Sequence, residues 1–164
     1  MRKRSKYRPK PVLVNPLGYV LESMKPVAYH DQYLVELKIK NNQALIALLQ
    51  GKAVHDDMDI LIAMSNVTEA LCQLGFGEEH KSITVDGREA IIGIAHRFTT
   101  LKRFTPTGLE IQALNLLMEL HDAQMDVITI KDMERALDYI RNKVRQHDVT
   151  RLPRIVHALS LIHI

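Results

Sequence analysis

Between residues 130 and 144 the apolar side chains Ile130, Met133, Leu137, Ile140 and Val144 recur every three or four positions, the period of one face of an α-helix. Lys131, Asp132, Glu134, Arg135, Asp138, Arg141 and Lys143 fill the other side, so the segment can bury one stripe and solvate the rest. Thr129 and Asp132 have the spacing of a capping box, with Asp in place of the usual Glu.

The same period recurs upstream. Thr107, after the break at Phe104-Thr-Pro-Thr-Gly108, caps a helix with Ile111, Leu114, Leu117, Met118, His121 and Met125 on one side. The short join to Thr129 predicts an antiparallel or angled helical pair over 107–146. A further helix runs from about Glu78 or Ser82 to Lys102, with Ile91, Ile94, Ala95, Phe98 and Leu101 on one face. Gly87 and Gly93 argue against its continuity. Asp56 and Asp57 place carboxylates where a helix N-terminus favours them, and that helix ends at Gly75. Its Ile60–Met64 run is apolar nearly all round, which predicts a central, buried helix.

Asn41 or Asn42 reads as the cap of a helix closed by Gly51. Tyr33, Val35, Leu37 and Ile39 alternate, which favours a strand or extended segment over 31–40, although Leu34, Leu37 and Lys38 also suit a helix. Asn15-Pro16 opens a short helix to about Met24, stopped by Lys25-Pro26. The expected fold is all-α, a compact bundle of five or six helices with a short extended segment near residues 33–39. A length of 164 residues suits one such domain.

Charge divides the chain. Arg2, Lys3, Arg4, Lys6, Arg8 and Lys10 lie in the first ten residues with no acid among them. Outside that segment sixteen Lys and Arg face nineteen Asp and Glu, a balance of about −3 against +3 for the whole chain. Repulsion between like charges, with Pro9 and Pro11, predicts a disordered basic arm over 1–14. A helical domain is expected over 15–150 and a tail over 151–164. Residues 159–164, Leu-Ser-Leu-Ile-His-Ile, read as the in-frame translation of a transposon-end adapter used in DNA library preparation, and carry no weight in the fold.

Several classes are disfavoured. No apolar run approaches the roughly 20 residues that span a bilayer, and the basic N-terminus is followed by Pro9-Lys10-Pro11 rather than a signal-peptide core. One cysteine, Cys72, excludes an internal disulfide framework and a multi-cysteine zinc site, and a cytoplasmic setting fits. Phosphate loops, nucleophile elbows and metalloprotease helix motifs are absent from the sequence. No catalytic residue, metal or cofactor is expected.

The arm is the leading candidate site. Arg2, Lys3, Arg4, Lys6, Arg8 and Lys10 can follow a phosphate backbone with salt-sensitive affinity, and Tyr7 can stack on a base. Nucleic acid is the expected partner; an acidic protein surface, another protein partner or a homo-oligomer are the alternatives. A second basic cluster, Arg141, Lys143, Arg145, Arg151 and Arg154, is accounted for by the dipole at a helix C-terminus. A DNA-reading helix in 107–146 is disfavoured, since Glu110, Glu119, Asp122 and Asp126 make its first helix acidic. The stripe Asn115, Glu119, Asp122, Asp126 reads as a solvated face.

Four His-Asp dipeptides begin at His30, His55, His121 and His147. His30, His55, Asp56 and Asp122 or Asp126 fit the ligand order of helical metal-dependent phosphohydrolases, a match that chance supplies easily in a chain with several such pairs. Cys72, on the buried side of its helix, reads as a packed, inert thiol.

At Met1-Arg-Lys-Arg-Ser-Lys-Tyr-Arg-Pro-Lys-Pro11, and from Asn115 through His121-Asp122 to Leu137, the chain resembles uncharacterised proteins of tailed phages and prophages of Gram-negative bacteria. The likeness covers residues 1 to about 146. Some of those proteins are labelled Fis-like transcription regulators, although no Fis-type helix-turn-helix pattern is found in this chain. The resemblance implies an accessory role in the host-cell cytoplasm and transfers no active-site residue.

Overall fold

A computed structural model describes residues 16–27 and 31–146. Arg2, Lys3, Arg4, Lys6, Tyr7, Arg8 and Lys10 lie outside the described residues. So do the Asn15 cap, His30, His147, Asp148, Arg151, Arg154 and the segment 159–164.

Six α-helices make up the described fold: α1 (Pro16–Ser23), α2 (Asp31–Leu49), α3 (His55–Gln73), α4 (Lys81–Leu101), α5 (Gly108–Val127) and α6 (Ile130–Arg145). A single 3₁₀ turn, Glu78–His80, leads into α4. No strand occurs among the described residues. Pro26 and Thr129 form one isolated antiparallel bridge, in which Val27 N–H donates to the Ile128 carbonyl (2.9 Å) and Ile130 N–H to that of Lys25 (3.1 Å).

Helix α3 is central, packing on α2, α4, α5 and α6. The main core joins Leu45 and Leu48 of α2, Met58, Leu61 and Met64 of α3, Ile91 and Ile94 of α4, and Leu114 and Leu117 of α5. A second cluster closes the other end of α3, with Leu34, Ala70, Leu71, Met125, Ile128 and Ala136. Helix α6 follows α5 directly but turns to pack on α3, so the two do not lie side by side as a recognition unit.

The caps explain where helices begin. Thr107 Oγ1 accepts from Glu110 N–H (3.3 Å) while the Glu110 carboxylate accepts from Thr107 N–H (2.6 Å). Thr129 and Asp132 repeat this exchange at α6. At α3, where Val54 has no side-chain acceptor, Asp57 alone accepts from the Val54 N–H (2.8 Å).

The extended segment expected over 31–40 is helix. Helix α2 carries apolar residues on two faces, with Leu34, Leu45 and Leu48 buried and Val35, Ile39, Ile46 and Leu49 exposed. Apolar residues on two faces blur the helical period, and over 33–39 the exposed Val35, Leu37 and Ile39 read as alternation. Asn41 and Asn42 are consequently interior to α2, not caps. Asn41 is buried, and Asn42 Nδ2 donates to the Lys38 carbonyl one turn back (2.8 Å).

The two α4 glycines also serve a different purpose from the one expected. Helix α4 is continuous, and a Cβ on Gly87 would fall 2.7 Å from Leu117 Cδ2 and 3.0 Å from Leu117 Cβ. Glycine permits the close approach of α4 to α5 there. A Cβ on Gly93 would meet Glu110 Oε1 at 2.6 Å.

Candidate functional site

Where α3 and α5 cross, the apolar core is interrupted by polar side chains. Thr68 Oγ1 donates to the Met64 carbonyl (2.9 Å) and lies 3.0 Å from His121 Nδ1. With the hydroxyl hydrogen used on Met64, the bond requires Nδ1 to carry the proton. His121 is buried and its Nε2 has no hydrogen-bond partner among the described residues. Burial, then the nearby Lys38 charge, lowers its pKa to about 4, so the ring is neutral at pH 7.

One turn along α5, Gln124 Nε2 reaches the Phe76 carbonyl (2.8 Å), the Thr68 carbonyl (3.3 Å) and Cys72 Sγ (3.3 Å). The Cys72 thiol donates to the Gly77 carbonyl (3.3 Å). Gln124 and Cys72 thereby satisfy carbonyls of the turn that ends α3, and tie that turn to α5. Burial pushes the Cys72 thiol up, against the smaller opposing effect of Gln124. This disfavours a thiolate nucleophile. In the sequence His121 and Cys72 stand on apolar faces, whereas Thr68 and Gln124 belong to no motif. Their signal is positional: Thr68 is one turn from Met64 and Gln124 one heptad from Leu117, both buried.

The acidic stripe of α5 is divided. Asn115 and Glu119 are exposed, and Asp126 pairs with Lys38 of α2 (3.1 Å). Asp122 is partly buried, and its carboxyl is raised by desolvation and by Asp126 against the opposing charge of Lys38. His55 rests edge-on against Phe98 and Phe104, with ring centroids 5.1 and 5.4 Å away. Among the described residues no three of His, Cys, Asp and Glu converge in a geometry that could hold a metal ion.

The described body spends many of its cations internally. Lys38, Lys81, Arg88, Arg97, Arg135 and Arg141 pair with Asp126, Glu78, Glu69, Glu110, Asp132 and Asp138. Burial alone would raise the Glu110 carboxyl; hydrogen bonds from Arg97 and Thr107 hold it below its usual range. In the second basic cluster, Arg141 is paired and Lys143 lies over the Tyr139 ring, 5.6 Å from its centroid. No helix among the described residues is long and apolar enough to cross a membrane.

No protein-family model matches the chain, and neither the curated proteins nor the solved structures hold a match.

Proposed function

We propose that this chain is a non-enzymatic accessory protein of a phage or prophage, acting in the host cytoplasm as a regulator that contacts nucleic acid through its basic arm. The observation that carries this reading is the segregation of charge. Six cations stand in the first ten residues without an acid, and the rest of the chain is net acidic. Such a segment gains affinity for phosphates by releasing counterions, and it needs no fixed geometry to do so. The ion pairs of the body support the division, since a paired cation is a poorer phosphate ligand than a free one. Comparing binding of duplex and single-stranded nucleic acid by the full chain and by one lacking residues 2–10 tests it.

A protein-interaction module is the second reading, and the exposed apolar side chains of α2 favour it. It requires a stoichiometric protein partner that survives nuclease treatment. The phosphohydrolase reading draws no support from the surroundings of His55, whose ring packs on two phenylalanines.

A further inference from the structure

Five residues on the open side of α2 follow a 4-3-4-3 spacing: Val35, Ile39, Asn42, Ile46 and Leu49. That is the seam of a two-stranded coiled coil, with Ile39 and Ile46 at one class of core position and Val35, Asn42 and Leu49 at the other. A second stripe, Leu34, Asn41, Leu45 and Leu48, already buries α2 in its own bundle. Its four apolar members belong to neither core cluster among the described residues. Val35 is 53%, Ile39 48%, Ile46 51% and Leu49 46% exposed, and Asn42 is exposed too.

We propose that this stripe is a dimer interface, in which α2 pairs in parallel and in register with α2 of a second copy of this chain.

Asn42 selects the occupant. In a parallel, in-register pair every layer meets its own copy, so Asn42 meets Asn42. Its Nδ2 is held by the Lys38 carbonyl at 2.8 Å, which leaves Oδ1 to accept from the opposing amide. An antiparallel pair sets Asn42 against Ile39 or Ile46 and buries the amide on an aliphatic side chain, a costly arrangement. A foreign helix would need a polar residue at the same layer to avoid that cost. The rim argues against phosphate or an anionic lipid surface: Glu36 offsets Lys40, and Lys38 is engaged with Asp126.

Area sets the strength. The stripe offers on the order of 400 Å² per chain, within the range of the largest apolar patch on a monomer, which is often functional. Pairing two copies buries about twice that, below the roughly 1,200 Å² at which stable interfaces begin, so the dimer is weak and reversible. This inference does not depend on the arm.

Sedimentation equilibrium of the nuclease-treated full chain at about 0.5 M salt, where arm–phosphate contacts are screened, tests it between about 1 and 500 µM. The mass should rise from monomer to dimer with concentration. Ile39→Glu with Ile46→Glu should weaken the dimer at least about tenfold while leaving helicity and the unfolding midpoint near those of the parent, because both positions face solvent. Asn42→Cys should form an intermolecular disulfide on mild oxidation, the buried Cys72 taking no part. This variant also tests the seam if the double variant fails to fold. A monomer at every concentration would overturn the proposal. So would a dimer insensitive to the glutamates, or a dimer whose Asn42→Cys form does not cross-link.

Discussion

His121 of α5 and Thr68 of α3 meet at 3.0 Å between ring Nδ1 and hydroxyl, with the hydroxyl already donating to Met64. This bond fixes the ring proton on Nδ1, burial keeps the ring neutral, and the pair links α3 to α5 inside the core. Protonating the ring would place a charge where Nε2 has no partner among the described residues.

Stability should therefore depend on pH through His121. Its pKa is about 4 in the folded chain and 6.5 in the unfolded one. Above pH 6.5 neither state is charged and the contribution is constant. As the pH falls from 6.5 to 4 the unfolded chain takes a proton the folded one refuses, and about 3 kcal/mol is lost. Asp122, with its raised carboxyl, opposes this by favouring the folded state as the pH falls, and Glu110 acts in the reverse sense. Urea unfolding at pH 7 and 4.5 should show a marked drop for the parent and a smaller one for His121→Asn, which keeps a donor toward Thr68. Equal drops would show that His121 is not the group responsible.

Gly87 and Gly93 should respond differently to alanine. Gly87→Ala gains helix propensity of about 1 kcal/mol, but drives a methyl into the fully buried Leu117, an overpacking cost of about 1–3 kcal/mol. A net loss with a lowered thermal midpoint is expected. Gly93→Ala meets the Glu110 carboxylate, which Arg97 and the Thr107 N–H hold, so its gain in helix propensity is offset there. Its net loss should be smaller than that of Gly87→Ala, which meets the buried Leu117 side chain. Thermal unfolding of both variants decides it, and the reverse order would contradict the close α4–α5 contact.

Cys72 should be inert in the folded chain, because it is 1% exposed and its thiol is raised by burial. A thiol reagent at pH 8 should react roughly 100-fold more slowly than with the urea-unfolded chain, at a rate set by opening of the fold. Equal rates would show that the α3–α5 junction is open to solvent.

Helix α6 was the most legible element because its stripe is undiluted and its cap is local. Both features act within a few residues. Helix α2 is less legible for the opposite reason: a chain that uses two faces of one helix no longer shows a single period. Asn41 and Asn42, good capping residues in isolation, drew the boundary ten residues late. Gly87 and Gly93 resemble breaks until α5 is set beside them, and that contact is long-range. The same holds for the polar junction. His121 and Cys72 were visible as residues on apolar faces, whereas their link through Thr68 and Gln124 joins positions more than fifty residues apart. The segregation of charge into residues 1–10 is legible without a fold, because it is a property of composition.

The most direct measurement is therefore a salt titration of nucleic-acid binding by the full chain and by the chain lacking residues 2–10. Each phosphate neutralised contributes about −0.9 to the slope of log K against log salt on duplex DNA, so six engaged cations would give about −5. The expected result is a steep slope for the full chain, and a shallow slope with weak affinity once the arm is removed. Equal affinity and slope for both chains, or no binding by either at about 50 mM salt, would contradict the assignment of the arm.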